Sequence, residues 1–143
     1  MKGSGIRVLI VDDFEQWRKV VRAALQGKLG LHIFEEAADG LEAVQKAQAM
    51  QPDLVVLDIG LPMLNGIEVA RHIRSVSAKS KVVFLTENRS CEVTETALQD
   101  GASGYVVKSA FARDLIPAVE AVLEGRQFLS AKLIHWTLEP KTA

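Results

Sequence analysis

The sequence predicts a three-layer, doubly wound α/β fold: one parallel sheet with helices on both faces. Short β-branched runs alternate with longer amphipathic segments five times. The runs are apolar almost without interruption, as strands buried on both faces must be. A third observation concerns their ends. Asp12-Asp13 follow Ile6 to Val11, Asp58 follows Leu54 to Leu57, Thr86 follows Val82 to Leu85, and Lys108 follows Tyr105 to Val107. In such a sheet the carboxyl ends of the strands gather along one edge, where open α/β folds bind their ligands.

The first strand is Ile6 to Val11, and the helix after it runs from Phe14 to Lys28 with Val20, Val21, Ala24 and Leu25 at helical spacing. Gly27 or Gly30 stops that helix. Leu31 to Ala37 carries the weakest strand pattern. Asp39-Gly40 then turns the chain into an Ala-rich helix, Leu41 to Met50, closed by Pro52. A strand at Asp53 to Leu57, a helix at Gly66 to Val76, a strand at Lys81 to Leu85, a helix at Ser90 to Gln99, a strand at Gly104 to Val107 and a helix at Ala112 to Leu123 complete five β/α units with right-handed crossovers. Pro117 falls inside the last helix, where it removes one backbone hydrogen bond and is expected to bend it. Past Gly125 the alternation breaks down.

Length and composition narrow the function. With 143 residues, 48% hydrophobic and 24% charged, the chain suits one domain with a substantial core. Seventeen basic and eighteen acidic residues leave a net charge of -1, no footprint for nucleic acid or an anionic membrane. A single cysteine, no signal peptide and no apolar stretch of bilayer length point to a reducing cytoplasm. His32, His72 and His135 lack ligand spacing and are read as surface or packing residues.

Each strand-end residue has an ordinary explanation when taken alone. An Asp pair after a strand can be a turn or a cap, and a lysine there can simply be solvated. Adjacent acids buried together repel, however, and a hard cation such as Mg²⁺ with oxygen ligands relieves the repulsion. In the Asp58-Ile59-Gly60-Leu61-Pro62 loop, Gly60 is expected to permit unusual backbone angles and Pro62 to stiffen the chain. Three carboxylates, a hydroxyl and an ammonium on one edge make the outfit of a phosphate and metal site.

These motifs resemble the receiver domain of two-component response regulators. The resemblance rests on Val11-Asp12-Asp13, the Asp58 to Pro62 loop with Asn65-Gly66, Leu85-Thr86, and Gly104-Tyr105-Val106-Val107-Lys108, and it spans Ile6 to Leu129. It implies a (βα)5 flavodoxin-like fold with strand order 2-1-3-4-5, a common doubly wound order that receivers of this family share with flavodoxin. By the same resemblance Asp58 accepts a phosphoryl group from a sensor histidine kinase. Asp13, Asp58 and the backbone carbonyl of Gly60 hold Mg²⁺ directly, and Asp12 reaches it through water. Lys108 pairs with a phosphoryl oxygen, Thr86 is the switch hydroxyl, and Tyr105 is the aromatic residue that turns inward behind it. The readout face, through which a homodimer is expected, joins the fourth helix, fifth strand and fifth helix. The chain is then no enzyme toward outside substrates and catalyses only its own phosphoryl transfer and dephosphorylation.

Lys108-Ser109-Ala110 and Gly125 to Ser130 resemble the branch that precedes a LuxR/NarL/FixJ-type helix-turn-helix output domain. The expectation is a receiver over residues 1–129 and a tail or linker over 130–143, with the output domain absent and transcription its indirect target. Thirteen residues follow Ser130, too few for that domain. An excised receiver and a single-domain regulator both fit. Three positions depart from the family pattern. Glu87 stands where a small residue is usual and adds a fourth carboxylate, or else points to solvent; Ser109 replaces a proline, which puts an expected cis peptide in doubt. Trp17 near the acidic pair is either a packing residue or one that senses the metal. Cys91, with only Arg89 basic beside it, reads as a structural or exposed thiol.

Other classes fit less well. A metal-dependent aspartyl phosphatase commonly carries a second acid two residues beyond the nucleophile, where this chain has Gly60. A flavin or dinucleotide binder needs a Gly-rich loop where this chain has Asp12-Asp13-Phe14-Glu15. A degenerate receiver that acts by protein–protein interaction without phosphorylation stays open, kept so by Glu87.

Overall fold

The computed structural model describes residues 5–62, 65–87, 99 and 102–130. In chain order these form β1 (Ile6–Val11), α1 (Glu15–Leu25), β2 (Leu31–Ala37), α2 (Gly40–Met50), β3 (Leu54–Leu57), α3 (Gly66–Val76), β4 (Lys81–Thr86), β5 (Gly104–Val107), a 3-10 turn (Lys108–Ala110), α4 (Phe111–Leu123) and β6 (Phe128–Leu129). The helix expected over Ser90 to Gln99 lies, apart from its last residue, outside the described residues. So do Cys91 and residues 131–143, His135 among them.

All neighbouring strands pair in parallel, in the order β2-β1-β3-β4-β5-β6. The first five follow the expected order. The sixth corrects the expected count: Phe128 N–H donates to Ser103 O at 3.0 Å and Ser130 N–H to Tyr105 O at 3.0 Å, which adds a two-residue strand beside β5. Two residues cannot display a period, so this edge strand is invisible as a pattern.

The unbroken apolar runs divide residue by residue between two cores. Val8 and Ile10 of β1, Leu54 and Val56 of β3, Val83 and Leu85 of β4, and Val106 of β5 pack with Val21 and Leu25 of α1 and with Leu115, Val119 and Val122 of α4. Their alternates Leu9, Val11, Val55, Leu57, Val82, Phe84, Tyr105 and Val107 pack with Ala43 and Ala47 of α2 and with Val69 and Ile73 of α3. Successive side chains of a strand point to opposite faces, so a doubly covered sheet requires apolar residues at every position.

Local chemistry sets the boundaries. Asp39 caps α2 by accepting from Glu42 N–H at 2.9 Å, and Asn65 caps α3 by accepting from Glu68 N–H at 3.0 Å. The first helix ends at Leu25, three residues before the expected Lys28, because Gly27 takes φ 79°. Pro117 does lie inside α4, so the Arg113 carbonyl receives no bond from it. Among the described residues no peptide bond is cis, and Lys108-Ser109 is trans.

Candidate functional site

Four parallel strands deliver their last residues to one edge. β1 hydrogen-bonds on both sides at its end, with Asp12 N–H donating to Ala37 O at 3.1 Å and Asp58 N–H donating to Val11 O at 3.0 Å. Asp12 and Asp58 therefore leave adjacent strands side by side, both buried, while Asp13 is exposed. One carboxylate oxygen from each of Asp12, Asp13 and Asp58 lies within 4.8 Å of the others. An all-oxygen, all-anionic donor set at that spacing suits a hard divalent cation such as Mg²⁺.

Backbone donors orient the two buried acids. Asp12 Oδ1 accepts from Phe14 N–H at 2.9 Å, and Asp58 Oδ1 accepts from Gly60 N–H at 3.0 Å. The second oxygens face Lys108. Its Nζ is 2.8 Å from Asp12 Oδ2 and 3.6 Å from Asp58 Oδ2, with both ends of the pair almost wholly buried. Burial raises the Asp12 carboxyl above its ordinary pKa, and the Lys108 ammonium and the Phe14 N–H oppose that rise.

Thr86 ends β4 directly opposite Val107 of β5 and is buried, which places it one residue away in register from Lys108. Tyr105 is fully buried, its ring centroid 6.0 Å from that of Phe84. In this structure the aromatic residue is already inside. Glu87 is exposed, and it lines a cavity of about 480 Å³ together with Trp17, Val107, Lys108 and Ser109. Trp17 is half-buried. Its indole sits beneath the Lys108 ammonium, 4.7 Å from Nζ to the ring centroid, and the Phe111 ring meets it edge-on at 5.6 Å.

One site residue behaves differently from its sequence reading. Gly60 is not among the described residues with positive φ, and a Cβ added there would meet Asp58 Oδ1 at an ordinary 3.7 Å. Its observed contribution is the N–H on Asp58. The glycine that geometry demands is Gly66 instead: a Cβ there would strike the Asp58 carbonyl oxygen and stand 2.6 Å from Ile59 Cα. The Gly66 N–H also donates to Ile59 O at 2.8 Å, which folds the loop back under Asp58.

Arg18 and Ser130 were not singled out by sequence. Arg18 donates from Nη1 to Asp12 O at 2.6 Å and from Nε to Glu36 Oε1 at 2.9 Å, tying α1 to the ends of β1 and β2. Ser130 is fully buried; its Oγ accepts from Val107 N–H at 3.1 Å and bonds the Asp114 carboxylate. An arginine one helical turn past an acidic pair is a weak signal, and the serine partners only through the unforeseen β6. His32 and His72 are exposed, as expected.

Comparison with known proteins gives a consistent family. The family model described as the response regulator receiver domain matches residues 8–120. The transcriptional regulatory protein LnrK of Bacillus subtilis is 34% identical over 128 residues, covering 90% of this chain and 58% of LnrK. The response regulator UvrY of Escherichia coli K12 is 30% identical over 128 residues, covering 90% of this chain and 59% of UvrY. Among solved structures, a LuxR-family two-component response regulator from Aurantimonas superposes with TM-score 0.86 at 35% identity, covering 92% of this chain and 94% of that one. The response regulator domain of Thermotoga maritima CheB gives 0.72 at 31% identity, covering 85% and 95%. The chain thus spans less than two thirds of the length of LnrK and UvrY. No helix among the described residues is long and apolar enough to cross a membrane.

Proposed function

Because this chain belongs to the response regulator receiver family of two-component signalling proteins, we propose that it is a switch whose phosphoacceptor is Asp58. The donor is a phosphohistidine on a sensor histidine kinase in the cytoplasm. One observation carries the reading: at the edge where four parallel strands end, three carboxylates lie within 4.8 Å of one another and two of them face a buried lysine.

In the transfer an Asp58 carboxylate oxygen attacks phosphorus, an O–P bond forms, the P–N bond to the donor imidazole breaks, and the imidazole leaves with a proton. Asp13, Asp58 and the Gly60 carbonyl would hold Mg²⁺ directly and Asp12 through water, and the ion would supply positive charge to offset that of the transferring group. Lys108 is already 3.6 Å from Asp58 Oδ2 and becomes the counter-charge of the phosphoryl oxygens. Thr86 supplies a hydroxyl from the neighbouring strand end. The added charge of about -1.5 to -2 is thus met by one cation and one donor on adjacent loops. The reaction modifies the chain itself, so it acts as a signalling module and not as an enzyme on outside substrates.

Regulation of transcription through a DNA-binding domain outside residues 1–129 is the proposed output, and the name of LnrK, of which this chain spans 58%, supports it. Residues 130–143 then serve as the connection, and neither nucleic acid nor membrane is contacted by the receiver itself. Homodimerisation is proposed through β5 and α4 together with the helix expected over Ser90 to Gln99, whose first nine residues lie outside the described ones.

Incubation with a small phosphodonor and Mg²⁺ tests the assignment by intact mass. One added phosphoryl group is expected, absent in Asp58→Asn. No adduct on the wild-type chain would leave the degenerate receiver as the better reading.

A further inference from the structure

We infer that Trp17 is a positioning residue for Lys108, its indole face holding the ammonium where it can meet a phosphoryl group on Asp58. The inference rests on Asp58 being the phosphoacceptor, and it adds a residue that the receiver motifs do not include.

Among the described residues, the Lys108 ammonium meets three groups: Asp12 Oδ2 at 2.8 Å, Asp58 Oδ2 at 3.6 Å, and the Trp17 ring at 4.7 Å. Two are carboxylates, and Asp12, the nearer, pulls the harder. The third is the negative face of an aromatic quadrupole, and indole presents the strongest of the common rings. Trp17 also lines the cavity of about 480 Å³ through which Lys108 is reached. It therefore supplies attraction on the side where water would otherwise compete for the ammonium. On that side a neutral ring is easier to leave than a further carboxylate would be, because the ring keeps no unpaired charge when the ammonium turns away.

The indole is itself held. The Phe111 ring meets it at 5.6 Å with the planes 76° apart, an edge-to-face arrangement. Phe111 opens α4 directly after the 3-10 turn that begins with Lys108. The same short stretch of chain thus carries the ammonium and the ring that steadies the indole beneath it.

The test compares initial rates of phosphoryl addition from a small phosphodonor with Mg²⁺ in Trp17→Tyr, Trp17→Phe, Trp17→Met and Trp17→Leu, folding being checked by circular dichroism. If the ring face matters, rates fall in the order Trp, Tyr, Phe and then Met with Leu, the last two about threefold to tenfold slow. A role in packing alone would place Met, similar in bulk, beside Phe. The second readout is Trp17 emission in a Trp136→Phe background, which leaves one indole in the chain. It should shift in Lys108→Met and on phosphorylation.

Wild-type rates in Trp17→Leu, or equal rates in Trp17→Phe and Trp17→Met, overturn the inference while Asp58 keeps its role. Should Trp17→Leu and Trp17→Met not fold, Trp17→Tyr and Trp17→Phe decide, and rates equal to wild type count against it. A wild-type chain that accepts no phosphoryl group overturns both readings.

Discussion

Lys108 and Asp12, 96 positions apart in sequence, form a buried ion pair at 2.8 Å that joins the ends of β5 and β1. Neither partner is more than a few per cent exposed, and Asp58 stands just beyond the same ammonium. Removing the cation leaves two buried carboxylates facing each other. Lys108→Met is therefore expected to lower stability by about 3 kcal/mol in a denaturant titration, since an uncompensated buried charge is the costly state. Added Mg²⁺ should restore part of that loss by binding the folded form alone.

Gly66 decides how closely α3 approaches Asp58. Any side chain there meets backbone, which cannot step aside as a side chain can. Gly66→Ala should cost about 1–3 kcal/mol through overpacking and weaken Mg²⁺ binding as Asp58 is displaced. Gly60→Ala, with its new carbon in ordinary contact, should leave the thermal midpoint nearly unchanged. Melting curves of the two variants with and without Mg²⁺ make the comparison.

Asp114 is buried in the first turn of α4, bound by the Arg113 guanidinium at 2.9 Å and by the Ser130 hydroxyl. The Arg113 hydrogen bond, then the Ser130 bond, hold its carboxyl below the ordinary value of 3.8. A carboxyl with a lowered folded pKa adds stability above its unfolded value and loses it as pH falls through the folded one. Stability should thus drop below about pH 3.8 more steeply in wild type than in Asp114→Asn, measured by urea titration across pH 2.5 to 5. At neutral pH, Asp114→Ala should cost about 1–2 kcal/mol, because Ser130 loses a buried partner.

Glu87 places a carboxylate on the rim of the cavity that leads to Lys108. Repulsion there should slow anionic small phosphodonors, and salt should weaken the effect because the group is exposed. Glu87→Ala is expected to accept from such a donor several-fold faster at low ionic strength, with the gap closing near 0.5 M salt, where screening acts within about 4–5 Å. Equal rates at low salt would show that the charge does not bear on the site.

The sequence by itself determined the architecture and the edge on which the chemistry sits. Period and composition suffice for that, because a sheet covered on both faces demands unbroken apolar runs, and strand ends are where polar residues can reappear. Val8 and Leu9 illustrate the limit: both read simply as buried, and only the fold sends one to α1 and α4 and the other to α2 and α3. Asp12, Asp13, Asp58 and Lys108 were legible as a set, but not that Lys108 bonds Asp12 more closely than Asp58. Trp17 could be read as packing or as a residue that senses the metal, and the structure packs it on Phe111 and places it against the ammonium. Gly66 and Ser130 stood in motifs without an assigned role, and those roles, with Arg18 and the sixth strand, emerged only in three dimensions. Their roles depend on which backbone atoms lie within about 3 Å across elements distant in sequence, a distance set by hydrogen-bond geometry and not by local pattern.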